Sequence, residues 1–153
     1  MNTDQLSVFL KKANKSTYAA EGAIKAPSAR LKSKDYEFRD GAWLYHDTYF
    51  GGVQFIGEEI VYKDDELLWG MNYNGFVTDP TITEAEIDKS LRGALKQEYD
   101  DMIPVRGPKN FKIENYEYKN SIKGELDQFE GREEVLKDGK QIYFAVFHGG
   151  FIK

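Results

Sequence analysis

At 153 residues, 41% of them apolar and 14% aromatic, the chain is long enough to bury a core without metal or disulfide support. It contains no cysteine, which excludes disulfides and thiolate metal sites and fits a reducing, cytoplasmic setting. A formal charge of −5 and a pI near 5.1 argue against direct nucleic-acid binding, and no run approaches the roughly twenty apolar residues that span a bilayer.

In chain order, Met1-Asn2-Thr3-Asp4 lacks the basic and apolar regions of a signal peptide. Leu6, Phe9, Leu10 and Ala13 follow helical spacing, and Asn2 with Gln5 forms a capping box, so a helix is expected from about Thr3 to Asn14. From Lys15 to Lys34 the pattern dissolves, with Gly22 and Pro27 as breakers and Tyr18 as the one aromatic, a length that suits a lid or binding loop. Strands are then expected at Tyr36 to Phe38, Trp43 to Phe50, Val53 to Tyr62 and Leu67 to Tyr73. Thr83 and Glu86 make a capping box ahead of the apolar stripe Ile87, Leu91, Ala94 and Leu95, which marks a second helix ending before Pro104. Phe111 to Tyr118, Ile122 to Val135 and Gln141 to Phe147 read as further strands, and Asp138-Gly139 is a hairpin turn.

Phe55 to Gly75 and Phe129 to Gly149 align without a gap at an offset of 74 positions. Phe55/Phe129, Gly57/Gly131, Glu59/Glu133, Val61/Val135, Lys63/Lys137, Asp64/Asp138 and Gly75/Gly149 are identical pairs, while Trp69/Tyr143 and Tyr73/Phe147 are like-for-like. A repeated supersecondary unit explains this best. We therefore expect one α+β domain over 1–153, an antiparallel sheet of six to eight strands with two main helices packed on one face. Internal duplication, helix then strands twice, would divide it into pseudo-repeats at about 3–77 and 83–150.

Two-residue turns at Asp64-Asp65 and Asp138-Gly139 would oppose Val61 to Leu68, Glu59 to Gly70, Val135 to Ile142, Glu133 to Phe144 and Phe129 to His148. Glu59 and Glu133 then occupy equivalent places. If buried, each requires a partner such as Arg30, Arg92 or Arg106. With Trp69, Tyr73, Tyr45 or Tyr49 as aromatic walls they would form a cleft suited to an amine or other cation. The same pair facing water, or acting as the acid and base of a hydrolase, are the competing readings. His46 and His148 are the only histidines and have no HExxH spacing, so no metal or cofactor is expected, and His148 stands as a polar group at a strand end. Arg106-Gly107-Pro108 is a lone Arg in a rigid loop, able to recognise a carboxylate or to tie the loop to an acid.

Tyr49-Phe50-Gly51-Gly52, Phe55-Ile56-Gly57-Glu58-Glu59, Trp69-Gly70-Met71-Asn72-Tyr73-Asn74-Gly75, Arg106-Gly107-Pro108 and Phe147-His148-Gly149-Gly150-Phe151-Ile152-Lys153 together resemble an uncharacterised family of bacterial domains. Some members carry an amino-terminal helix-turn-helix and are labelled transcriptional regulators. With one helix before the first strand, this sequence does not carry that label over. The resemblance implies a bacterial, cytoplasmic domain with no established activity. The leading expectation is a non-enzymatic domain binding a small, cationic molecule or a partner, its site built from Glu59, Glu133, Trp69, Tyr73, Tyr49, Arg106 and His148. A small hydrolase using Glu59 and Glu133, and a module that forms a homodimer through an exposed edge strand, are the alternatives.

Overall fold

A computed structural model describes residues 3–17, 20, 23, 25–100 and 102–153. Helix α1 (Thr3–Ser16) leads into strands β1 (Lys34–Asp40), β2 (Trp43–Gly51), β3 (Phe55–Lys63) and β4 (Glu66–Val77). Helix α2 (Glu84–Leu95) precedes β5 (Asn110–Ile113), β6 (Tyr116–Glu125), β7 (Gln128–Lys137) and β8 (Lys140–Phe151). All eight strands form one antiparallel sheet in the order β1-β2-β3-β4-β8-β7-β6-β5, so the chain is α+β. Each half meanders inward from an edge of the sheet to the centre, where β4 pairs with β8. An offset of 74 carries Tyr73 onto Phe147, and these two are directly opposed at the middle of that pair.

Local chemistry accounts for both helices. In α1 the residues at helical spacing, Leu6, Phe9, Leu10 and Ala13, are buried and group with Tyr45, Val61, Trp69 and Phe129. Asn2, the expected cap of α1, lies outside the described residues. Thr83 does cap α2: its Oγ1 accepts from the Glu86 amide at 3.3 Å while the Thr83 amide donates to Glu86 Oε2 at 3.0 Å. The buried stripe Ile87, Leu91, Ala94 and Leu95 groups with Tyr116, Tyr118, Val135 and Tyr143.

The expected strand register is off by one residue. Both two-residue turns form, with Lys63 opposed to Glu66 and Lys137 to Lys140, but the pairing shifts just beyond Val61 and just beyond Val135. These β-bulges leave Leu68 and Ile142 without a direct partner, so Val61 faces Trp69, Glu59 faces Met71, Val135 faces Tyr143, Glu133 faces Ala145 and Phe129 faces Gly149. Because side chains alternate along a strand, one extra residue reverses which half of β4 and β8 shares the face of the glutamates. Odd-numbered Trp69, Met71 and Tyr73 join Glu59, whereas even-numbered His148 does not join Glu133.

Two expected long strands are divided. Phe111 to Tyr118 contains a turn at Glu114-Asn115, with Glu114 at φ 53°, and Ile122 to Val135 is broken at Leu126-Asp127 after Gly124 at φ 99°. Neither break carries the Asn-Gly or Asp-Gly pair that marks a hairpin. Tyr18 and Gly22 of the irregular segment lie outside the described residues. Its later part folds back on β1: the Ala26 amide donates to the Asp35 carbonyl at 2.7 Å, and Arg30 pairs with Glu58.

Candidate functional site

Successive strand pairings put Glu59 and Glu133 on one face. Glu59 is opposed to Met71; two residues along, Tyr73 is opposed to Phe147; two residues back, Ala145 is opposed to Glu133. On the same face Asp47 lies opposite Glu59 and Asn120 opposite Glu133. Glu59 is 1% exposed and Glu133 0%.

Over this face comes the loop between α2 and β5. Asn14 Nδ2 of α1 donates to the Pro104 carbonyl (3.2 Å), the Tyr99 hydroxyl to the Arg106 carbonyl (2.7 Å), and Asn120 Nδ2 to the Gly107 carbonyl (2.8 Å). These bonds hold Arg106 at φ 68°, a left-handed conformation that a non-glycine residue adopts at a cost. The Gly107 amide donates to the Tyr118 hydroxyl at 3.0 Å, and a Cβ there would lie 2.8 Å from that oxygen, so only glycine fits.

Held this way, Arg106 grips Glu133 with two bonds, Nη2 to Oε1 at 2.6 Å and Nε to Oε2 at 3.2 Å. The hydroxyls of Tyr118 (2.8 Å to Oε2) and Tyr143 (3.0 Å to Oε1) complete the shell. Burial and the adjacent carboxylate hold both phenols far above their usual pKa, so they remain donors.

Glu59 and Asp47 are served differently. The Tyr73 hydroxyl donates to Asp47 Oδ1 at 2.5 Å, and among the described residues Glu59 Oε1 has no hydrogen-bond partner. Burial, foremost, pushes the Asp47 carboxyl up to about 7, against the pull of Tyr73 and Arg106. Burial and then the Asp47 charge push Glu59 up to about 8, opposed by Arg106 and the Tyr45 hydroxyl. The two acids thus favour a protonated state.

Of the residues expected to form the site, Glu59, Glu133, Tyr73 and Arg106 converge here. Tyr49 stands at the next place along β2 from Asp47 on this face and stacks on Tyr36, with ring centroids 6.2 Å apart. Trp69 shares the face but is a core residue: it is fully buried, donates from Nε1 to the Leu126 carbonyl at 2.9 Å and stacks on Phe129. His148 is exposed on the other face, opposed to Asn72 and Glu130, because the bulge in β8 reversed its side. The later part of the segment expected as a lid, residues 25–34, also belongs to the other face, where Arg30 meets Glu58. It is pinned by Asp35, whose carboxylate accepts from the Ala29 amide, Ser33 Oγ, Thr48 Oγ1 and His46 Nε2.

Sequence reading passed over Asp47, Tyr118, Tyr143 and Asp35. One signal was there: Tyr45-His46-Asp47 and Tyr118-Lys119-Asn120 occupy matching places. The ungapped alignment stopped short of them because the β2–β3 and β6–β7 connections differ by one residue.

Asp47 and Tyr73 open onto a cavity of about 120 Å³ between the sheet and α2, walled by Tyr36, Tyr49 and Phe55. Of its two arginines, Arg106 is committed to Glu133 and Arg92 to Asp88 at 3.2 Å. A larger cleft of about 650 Å³ lies beside the first turn of α1 and the β6–β7 turn, away from the buried acids.

Among the described residues no group of three or more His, Asp or Glu side chains is placed to hold a metal ion, and no helix is long and apolar enough to cross a membrane. Neither the curated proteins nor the solved structures provide a significant match to this chain. The conserved-family model described as Domain of unknown function (DUF5680) matches residues 47–152, from the buried Asp47 through the last strand, and the chain belongs to that family.

Proposed function

We propose that this chain is a small-molecule-binding domain whose ligand is an organic cation seated against Asp47. The observation that carries it is the cavity itself: a buried carboxyl at its floor, bonded to a phenol and not to a cation, with Tyr36, Tyr49, Phe55 and Tyr73 around it. Aromatic faces and a desolvated carboxylate attract an ammonium group more strongly than exposed ones do. At about 120 Å³ the cavity suits a head group of a few heavy atoms.

The surroundings favour a rigid receptor. α1 groups with Tyr45 and Val61 and α2 with Tyr118 and Val135, which supports both helices lying on the acid-bearing face and closing it from above. Strand order and the 74-residue offset support an internal duplication whose halves meet at Tyr73 and Phe147. Hydrolysis by Glu59 and Glu133 draws no support, since Glu133 is saturated by Arg106 and two phenols and neither acid is open to water. In a thermal-shift series, short alkylammonium salts should raise the melting temperature of the wild type more than sodium chloride at equal ionic strength, and Asp47→Asn should erase the difference. Equal shifts in both proteins would remove Asp47 from the site and the proposal with it.

A further inference from the structure

Asp47 and Glu59 are directly opposed across β2 and β3, which places their Cβ atoms about 5 Å apart. They are 2% and 1% exposed. From β4 they meet Tyr73 and Met71, from β2 Tyr45, from β7 the carboxylate of Glu133, and from the covering loop Arg106. α1 brings only Leu6, Phe9, Leu10 and Ala13 to the core cluster around them, and α2 brings Glu84, Asp88 and Arg92 to the mouth of the cavity. The charges of His46 and Asp35 act on Asp47 from the other face of β1 and β2.

Arg106 is the cation of this cluster: two of its bonds go to Glu133, and its charge acts on Asp47 and Glu59 from farther off. Two adjacent carboxylates therefore share a buried site in which Asp47 is bonded to the Tyr73 hydroxyl and, among the described residues, Glu59 Oε1 has no hydrogen-bond partner. Like charges this close and this dry do not both ionise.

We propose, building on the cation-binding reading of the cavity, that Asp47 and Glu59 hold one proton between them while it is empty and that an organic ammonium entering beside Asp47 displaces this proton to solvent. One carboxylic O–H bond breaks, the proton passes to the buffer, and the net charge of the buried site is unchanged. The site is then a cation-for-proton exchanger, whose affinity rises by up to about tenfold per pH unit while the shared proton is still bound.

Tetramethylammonium chloride is the right probe, because it has no proton of its own to release. Titrated calorimetrically into the wild-type protein near pH 7, with proton release followed in weak buffer, it should free about one proton per cation bound. Glu59→Gln should release less proton per cation bound, since burial alone then holds a proton on Asp47. Binding to the wild type without proton release would overturn the exchange and leave the cation site standing. An absence of binding would remove the cation site and the exchange with it. Carboxyl carbon NMR titration of the ligand-free protein then decides the shared proton alone. It stands if near pH 7 one of the two acids is protonated while the other is ionised; it falls if both ionise in the ordinary carboxylate range or both stay protonated at that pH.

Discussion

Glu59 and Glu133 stand at matching points of the two four-stranded halves, each on the strand that neighbours the central pair, yet they are chemically opposite. Glu133 has a bidentate guanidinium and two phenols; Glu59 has a carboxyl across from it and one oxygen that finds no hydrogen-bond partner among the described residues. The difference comes from three neighbours. Where Tyr143 donates to Glu133, the matching Trp69 turns its Nε1 to the Leu126 carbonyl; where Asn120 stands opposite Glu133, Asp47 stands opposite Glu59; and Arg106 clamps Glu133 with two bonds. Matching strand positions thus support one ion pair that orders a loop and one protonatable pair at a cavity.

The largest effect should come from breaking the satisfied half. Arg106→Met leaves Glu133 buried without its cation, and the loss should be about 3–5 kcal/mol in chemical denaturation. Glu59→Gln, the matching removal of charge, should be neutral or stabilising at pH 8. If both variants lost the same stability, the asymmetry between the halves would not be electrostatic.

Next in size is the pH dependence. Asp47 and Glu59 have raised values in the fold, about 7 and about 8, so the folded protein holds more protons than the unfolded chain between the ordinary carboxylate range and those values. Their contribution is full below about pH 4 and is lost as pH rises through 7 to 8. Asp35 works in the other direction: four hydrogen bonds outweigh its burial and lower it to about 2, so its contribution is present above about pH 4 and is lost as pH falls through 2. Melting temperature should therefore peak in mildly acidic solution and decline toward pH 8, and Glu59→Gln should flatten the alkaline limb. An unchanged limb in that variant would show that the decline has another source.

Tyr73→Phe gives the central pair the same side chain on both strands and sharpens the comparison. It should cost about 1 kcal/mol from the lost hydroxyl bond to Asp47. By removing a bond that lowers the Asp47 carboxyl it should also push that group further up, which carboxyl NMR would register.

Much of this was legible in the residues. Helical spacing located both helices, the Thr83/Glu86 pair located a cap, and the two stretches that align in sequence fall on β3–β4 and β7–β8. The cost of burying charge offered Arg30, Arg92 or Arg106 as a partner for each glutamate; Arg106 does pair with Glu133, while Arg30 meets Glu58 and Arg92 meets Asp88. The bulges were not legible, because an extra residue in a strand has no composition of its own; that one slip carried His148 to the wrong face. Asp47 was missed for a related reason: its partner is fixed by β2–β3 pairing, while the repeat alignment ended at Phe55.

The two hairpin turns give the finest contrast between the halves. Asp64-Asp65 and Asp138-Gly139 occupy the same two places, all four with positive φ, but Asp65 at φ 62° stands where Gly139 is at φ 81°. An aspartate tolerates this region at a cost that glycine does not bear, and a Cβ at Gly139 would meet nothing within 4 Å. Asp65→Gly should therefore stabilise by about 0.5 kcal/mol and Gly139→Asp should cost about as much, both as shifts of the denaturation midpoint at constant slope. Changes of the same sign in both variants would mean that interactions of the aspartate side chain, and not backbone conformation, set the preference at this turn.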